Sequence, residues 1–162
     1  MPNTYSLTYK YYGHSSEERL DTEQAIFQTV CNGIDDPEKI QWIKPLPSIL
    51  SPNKTTISKL REAAVRLQAD ILIIFSVSSD IFTDYNVFRK NEVKAYSTCE
   101  MIAFDTKTGV IPFSEVKTMK VIEKEISSDA NMAETRKRAE KKAVIEALKE
   151  LSMQLKNYIK NS

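Results

Sequence analysis

Glycine is scarce in this chain, at 3 of 162 residues, and His14 is the single histidine. Phosphate cradles of the Rossmann or P-loop kind need grouped glycines ahead of a helix. Gly13, Gly33 and Gly109 stand far apart, which argues against nucleotide binding of that kind. A hydrolytic triad needs an imidazole base oriented by a third group. His14 follows the first predicted strand in a turn, the setting of an ordinary surface side chain. The cysteines number two, Cys31 and Cys99, too distant in sequence for a metal knuckle or a Cys-x-x-Cys motif. They read as half-buried thiols packed as small apolar groups, with a disulfide as the alternative. Asp35 with Asp36 and Asp80 with Asp84 are the only grouped carboxylates that resemble metal ligands, and both pairs read as loop acids. No residue is nominated as catalytic, cofactor-binding or metal-ligating, and no cofactor is expected.

Long apolar runs are also missing. The longest, Ile71 to Phe75, has the length of a strand and cannot span a bilayer. The opening Met1-Pro2-Asn3-Thr4-Tyr5 has neither a basic nor an apolar leader segment. The chain is therefore expected to be either cytosolic or a mature portion whose targeting segment has been removed. A net charge of +1 makes no case for a nucleic-acid footprint. With 41% apolar and 28% charged residues, the composition is that of a globular domain.

What is present is a clear alternation of element signals. Tyr5, Leu7, Tyr9 and Tyr11 alternate with Thr4, Ser6, Thr8 and Lys10, the period of a strand with one buried face. Ser15-Ser16-Glu17-Glu18 reads as a capping box. The helix after it is expected to end at Asn32-Gly33, with glycine as a left-handed exit. A short strand is expected around Lys39 to Ile43, before Pro45, Pro47 and Pro52 break regularity. Ile57, Leu60, Ala64 and Leu67 mark a helix over Thr56 to Gln68. Ile71 to Phe75 then reads as a central strand covered on both faces. Val93 to Phe104 and Glu115 to Ile126 form a hairpin across Asp105-Thr106-Lys107-Thr108-Gly109. A long final helix runs from Asp129 to Tyr158, with Val144, Leu148, Leu151, Leu155 and Tyr158 as its apolar stripe. The prediction is one α/β domain over residues 1–162, a mixed sheet with helices packed on it, in the order β-α-β-α-β-β-β-α.

The helix Leu60-Arg61-Glu62-Ala63-Ala64-Val65-Arg66-Leu67 enters Ala69-Asp70-Ile71-Leu72-Ile73-Ile74, and a later strand ends in Met101-Ile102-Ala103-Phe104-Asp105-Thr106-Lys107-Thr108-Gly109. Over roughly Ile57 to Tyr158 this resembles a group of bacterial envelope domains. The group includes the curli-secretion channel lipoprotein, the lipoprotein activators of penicillin-binding proteins and the amino-terminal domain of TolB. The resemblance implies a non-catalytic component, periplasmic or outer-membrane associated, held to the membrane only through a removed lipid anchor. It would act by contact with protein partners in the envelope or with a second copy of itself. Asp105, Thr108 and Gly109 would shape the hairpin turn.

A second resemblance belongs to another class. Helix, three strands and helix is also the order of a double-stranded-RNA-binding domain, and Lys137-Arg138-Ala139-Glu140-Lys141-Lys142-Ala143 is similar to the basic start of its last helix. The near-neutral charge, the extra front half and the interleaved glutamates disfavour nucleic acid. A cytoplasmic RNA-binding domain is the alternative function, and an enzyme of unassigned chemistry the third.

The expected contact surface is a long loop from Ser78 to Asn91, where Phe82, Tyr85, Val87 and Phe88 are set among Asp80, Asp84, Arg89 and Lys90. Aromatics among charges resemble an interaction hot spot. The competing expectation is that these side chains extend the two flanking strands and bury against the body.

Overall fold

The computed structural model describes residues 3–11, 16–47, 56–85, 90–127, 129 and 131–161, with 3–11 and 16–22 as backbone only. Its elements are β1 (Asn3–Tyr11), α1 (Ser16–Ile34), β2 (Ile40–Pro45), α2 (Ile57–Arg66), β3 (Ile71–Asp84), β4 (Glu92–Asp105), β5 (Phe113–Lys124) and α3 (Met132–Asn161). The predicted element order and the mixed sheet are both observed. The strands lie in the order β2-β1-β3-β4-β5. β1 runs parallel to β2 and β3, whereas β3, β4 and β5 form an antiparallel meander. Pro45 is accommodated because β2 is an edge strand, where a missing N–H costs no ladder bond. Tyr5, Leu7, Tyr9 and Tyr11 stand in register with Ile71, Ile73, Phe75 and Val77.

Strand alternation sorts the core into two faces. Ile73, Phe75 and Val77 of β3 and Cys99, Met101 and Ala103 of β4 point to one side, where α1 and α3 cover them. Ile26, Val30 and Ile34 of α1 meet Val144, Leu148, Leu151 and Leu155 of α3 in that layer. The stripe of α3 includes three alanines: Ala139, Ala143 and Ala147 are fully buried and let the helix lie close to the sheet. Leu72, Ile74 and Phe104 point the other way, onto Leu60, Ala63 and Ala64 of α2. Ile71 to Phe75 is thus covered on both faces, as its unbroken apolar run requires. Among the described residues, no helix is long and apolar enough to cross a membrane.

Three expectations need correction, the first being Tyr158 in the α3 stripe, where Ile159 is buried instead and Tyr158 is 39% exposed. α1 does not exit through a left-handed Gly33; it continues to Ile34, and Gly33 keeps ordinary helical φ. Gly33 is needed for a different reason, the close approach of α3, where a Cβ would stand 2.3 Å from the Cβ of Ser152. Ser78 to Asp84 is not loop either, because β3 runs on to Asp84 and β4 starts at Glu92. Ser15 of the expected capping box lies outside the described residues, as does His14.

Helix ends follow local chemistry. Thr56 caps α2, its hydroxyl accepting from the N–H of Lys59 at 3.4 Å. The other end closes without glycine. Gln68 adopts φ 58°, its N–H donating to the Val65 carbonyl while that of Ala69 donates to Ala64, the paired bonds of a Schellman motif. At the start of α3, Asn131 Oδ1 accepts from the N–H groups of Ala133 and Glu134. Cys31 and Cys99 are free thiols. Burial and the Asp35 charge push Cys31 up to about 11, and burial alone pushes Cys99 up to about 12.

Candidate protein-binding surface

α2 covers only the end of the sheet near Leu72 and Phe104. Beyond it, among the described residues, the face of β3, β4 and β5 opposite α3 lies open as a ladder of cross-strand rows. Ser76, Glu100 and Val116 form the first row, and Ser78, Thr98 and Thr118 the second. Asp80, Tyr96 and Lys120 follow, then Phe82, Lys94 and Ile122, then Asp84, Glu92 and Lys124. Phe82 is 57% exposed, Val116 58% and Ile122 49%, so strand alternation delivers apolar side chains to solvent here.

Neighbouring rows hold these side chains in place. The Phe82 ring meets Tyr96 edge-on, with centroids 5.8 Å apart and planes at 82°. The Lys120 ammonium sits 5.5 Å over the Tyr96 ring. Thr98 and Thr118 share a hydroxyl hydrogen bond of 2.9 Å, and Lys94 pairs with Asp84. Each contact crosses strands, so the exposed rings are presented by a ladder rather than by a mobile tip.

The sequence-predicted cluster is only partly assembled. Phe82 faces away from α3 in the row of Lys94 and Ile122. Tyr85, 70% exposed, is turned the other way: its hydroxyl accepts from Arg136 of α3 at 3.1 Å, and the same guanidinium donates to Thr83 at 2.8 Å. Val87, Phe88 and Arg89 lie outside the described residues. Of the two expectations for this segment, the strands do continue, yet Phe82 does not bury. Sequence reasoning missed Tyr96, Val116, Lys120 and Ile122. The signal for Tyr96, Val116 and Ile122 was an apolar or aromatic side chain on the otherwise polar register of β4 and β5; Lys120 carried none.

Asp105, Thr108 and Gly109 are at the opposite end of the hairpin, roughly 35 Å along β3 from Phe82. Asp105 Oδ1 accepts from the N–H groups of Lys107 and Thr108, both at 2.8 Å. The Thr108 and Lys107 N–H groups hold that carboxyl below the usual range against a smaller opposing effect of burial. Gly109 takes φ 80°. Arg61 of α2 donates to the carbonyls of Thr106 and Lys107, each at 2.7 Å, and buried Thr106 donates to the Ala69 carbonyl at 2.6 Å. The turn is thereby bound to the α2–β3 junction.

The basic run on α3 is largely engaged within the molecule. Arg138 pairs with Asp129 and, at 3.4 Å, with Glu123, and also donates to the Lys124 carbonyl. Lys142 reaches Glu123 at 2.9 Å. Asp129 also accepts from the Ile126 N–H and the Thr135 hydroxyl. These bonds, Arg138 first, hold the Asp129 carboxyl well below its usual range. The network ties the start of α3 to the end of β5 and leaves fewer cations for phosphate. Among the described residues, no three His, Cys, Asp or Glu side chains converge as metal ligands.

No protein-family model matches the sequence, and no curated protein matches it. Solved structures match it in fold across nearly the whole chain. A Helicobacter pylori protein assigned as a homologue of the neuraminyllactose-binding hemagglutinin has a TM-score of 0.56 at 10% identity, covering 99% of this chain and 91% of that one. A Caulobacter crescentus protein assigned as a lipoprotein has a TM-score of 0.55 at 7% identity, covering 97% and 90%. A hypothetical protein of Chlamydia trachomatis has a TM-score of 0.54 at 10% identity, covering all of both chains. The chain therefore shares its α/β fold with a bacterial protein assigned as a lipoprotein. At these identities the likeness is one of fold alone.

Proposed function

We propose that this protein is a non-catalytic binding or assembly component of the bacterial cell envelope, acting through protein–protein contacts as a lipoprotein-type domain. The observation that carries this reading is the open face of the β3–β5 meander, where Phe82, Val116 and Ile122 are exposed around a fixed Tyr96–Lys120 pair. Covering such side chains contributes about 1–2 kcal/mol each when a partner removes them from water. The charged groups between them, Asp80, Lys94 and Glu100, supply polar specificity. The fold shared with the Caulobacter protein assigned as a lipoprotein supports the envelope setting. So does the resemblance of the Leu60 to Ile74 and Met101 to Gly109 segments to the penicillin-binding-protein activators, the curli-secretion lipoprotein and TolB.

The test is cell fractionation of the protein expressed from its own gene, followed by immunodetection. Recovery in the membrane or periplasmic fraction is expected. Recovery wholly with cytosolic markers would overturn the envelope setting.

A further inference from the structure

β5 is the last strand of the sheet, and it is long, from Phe113 to Lys124. One side of its backbone is paired with β4, and among the described residues no strand pairs with the other side, which presents the N–H and C=O groups of an edge. The opposite edge, β2, is short and ends in Pro45, which blunts it. An exposed edge of this length is a template for another strand unless its side chains forbid the pairing.

The side chains of β5 forbid most self-pairings and favour one. Antiparallel pairing about a two-fold axis normal to the sheet places one residue opposite its own copy and its neighbours opposite each other. An axis at Glu115, Lys117 or Lys120 sets like charges face to face. An axis at Met119 opposes Glu115 to Glu123, and one at Ile122 opposes Lys120 to Lys124. An axis at Thr118 opposes Lys117 to Met119 and Glu115 to Val121, and one at Val121 opposes Met119 to Glu123. At Val116 the pattern changes. Val116 meets Val116, Glu115 meets Lys117, Ser114 meets Thr118 and Phe113 meets Met119, each mixed pair occurring twice by symmetry.

We propose that two copies of this chain associate through the Phe113–Met119 half of β5, antiparallel, with Val116 on the two-fold axis. Val116 is 58% exposed and free of any cover from α2. The segment uses the half of β5 remote from Glu123 and Lys124, which the Arg138–Asp129 network binds to the start of α3. On the helix side, an open groove of about 520 Å³ borders this edge, with Met119 at its floor and Glu150 and Met153 of α3 on its wall. Met153 is 60% exposed and adds an apolar side chain to the wall of that groove. Lys117 pairs with Glu150 in its own chain, and Glu115 of the second copy would share that ammonium. The assembly joins both sheets into one and doubles the open face described above, but it does not depend on the envelope setting.

The experiment combines a register-specific cross-link with a charge exchange. In a Cys31→Ser background, Val116→Cys places two thiols on the axis, at the Cα separation of an antiparallel pair, which a disulfide spans. Mild oxidation is expected to give a covalent dimer, whereas Ile122→Cys, exposed on the same strand, is expected to stay monomeric. Analytical ultracentrifugation of the unmodified chain is expected to show a monomer–dimer equilibrium. Glu115→Lys should weaken it by about tenfold at unchanged melting temperature, and Glu115→Lys with Lys117→Glu and Glu150→Lys, which keeps the pair within each chain, should restore it. A chain that sediments as a monomer at every concentration would overturn the proposal. So would a Val116→Cys variant that cross-links no faster than Ile122→Cys, or a triple exchange that does not recover association.

Discussion

Gly33 of α1 and Ser152 of α3 meet so closely that any side chain at position 33 would stand inside the other helix, its Cβ 2.3 Å from that of Ser152. Ser152 is fully buried, and its hydroxyl donates to the Leu148 carbonyl within α3 at 2.7 Å. The backbone of α1 therefore rests against the Cβ of Ser152 at this point, and a second Cβ has no space between them. Gly33→Ala is expected to cost about 1–3 kcal/mol through overpacking. Ser152→Gly in the same chain should recover part of that loss. Urea unfolding of the single and double variants measures the coupling, and strict additivity would contradict the close approach.

The end of α2 gives a change of opposite sign. Gln68 holds a left-handed φ of 58° that glycine adopts without steric cost. Gln68→Gly is expected to stabilise the protein by about 0.5–1 kcal/mol, net of the greater freedom of glycine in the unfolded chain. A fall in melting temperature would show that the Gln68 side chain contributes more than its backbone costs.

Acid should act first on the start of α3. The carboxyls of Asp129, Glu123 and Asp105 are held below their usual values of 3.8, 4.5 and 3.8. Groups depressed in the folded state stabilise it fully above those unfolded values and lose that contribution as pH falls through and below them. Melting temperature is therefore expected to be flat from neutral pH to about 5 and to decline below about 4.5. Asp129→Asn should lower the neutral plateau and flatten the acid decline. An acid decline as steep as that of the unaltered chain would remove Asp129 from the account.

Phe82 and Met101 separate surface from core. Phe82 is 57% exposed and Met101 fully buried beneath α3. Phe82→Ala is expected to cost under about 1 kcal/mol, whereas Met101→Ala should cost about 2–5 kcal/mol. Thermal melts of the two variants check this directly. A core-sized loss at Phe82 would mean that this ring is held for stability and not for contact.

The sequence was most informative where apolar spacing matched a single structure. Ile71 to Phe75 could only be a strand covered twice, and Val144, Leu148, Leu151 and Leu155 could only be one face of a helix. Errors arose where one residue type serves two physical ends. Gly33 has the sequence signature of a helix stop but serves helix–helix contact. Phe82 has that of a loop anchor but sits on a strand whose partner face is open, which depends on where α2 ends and not on local pattern. Tyr158 was read into the α3 stripe, yet Ile159 is buried there, while Tyr158 is 39% exposed with its ring 6.0 Å from Phe113. The open face was illegible because Tyr96, Lys120 and Ile122 come from strands whose alignment only the ladder reveals.

The central claim is that the open β3–β5 face binds an envelope protein, and in-cell photo-crosslinking tests it most directly. A benzophenone amino acid placed at Phe82 should yield an adduct with a distinct envelope protein, while the same probe at exposed Lys141 on α3 should yield none. Adducts at Lys141 alone, or adducts at Phe82 with cytosolic partners only, would contradict the account.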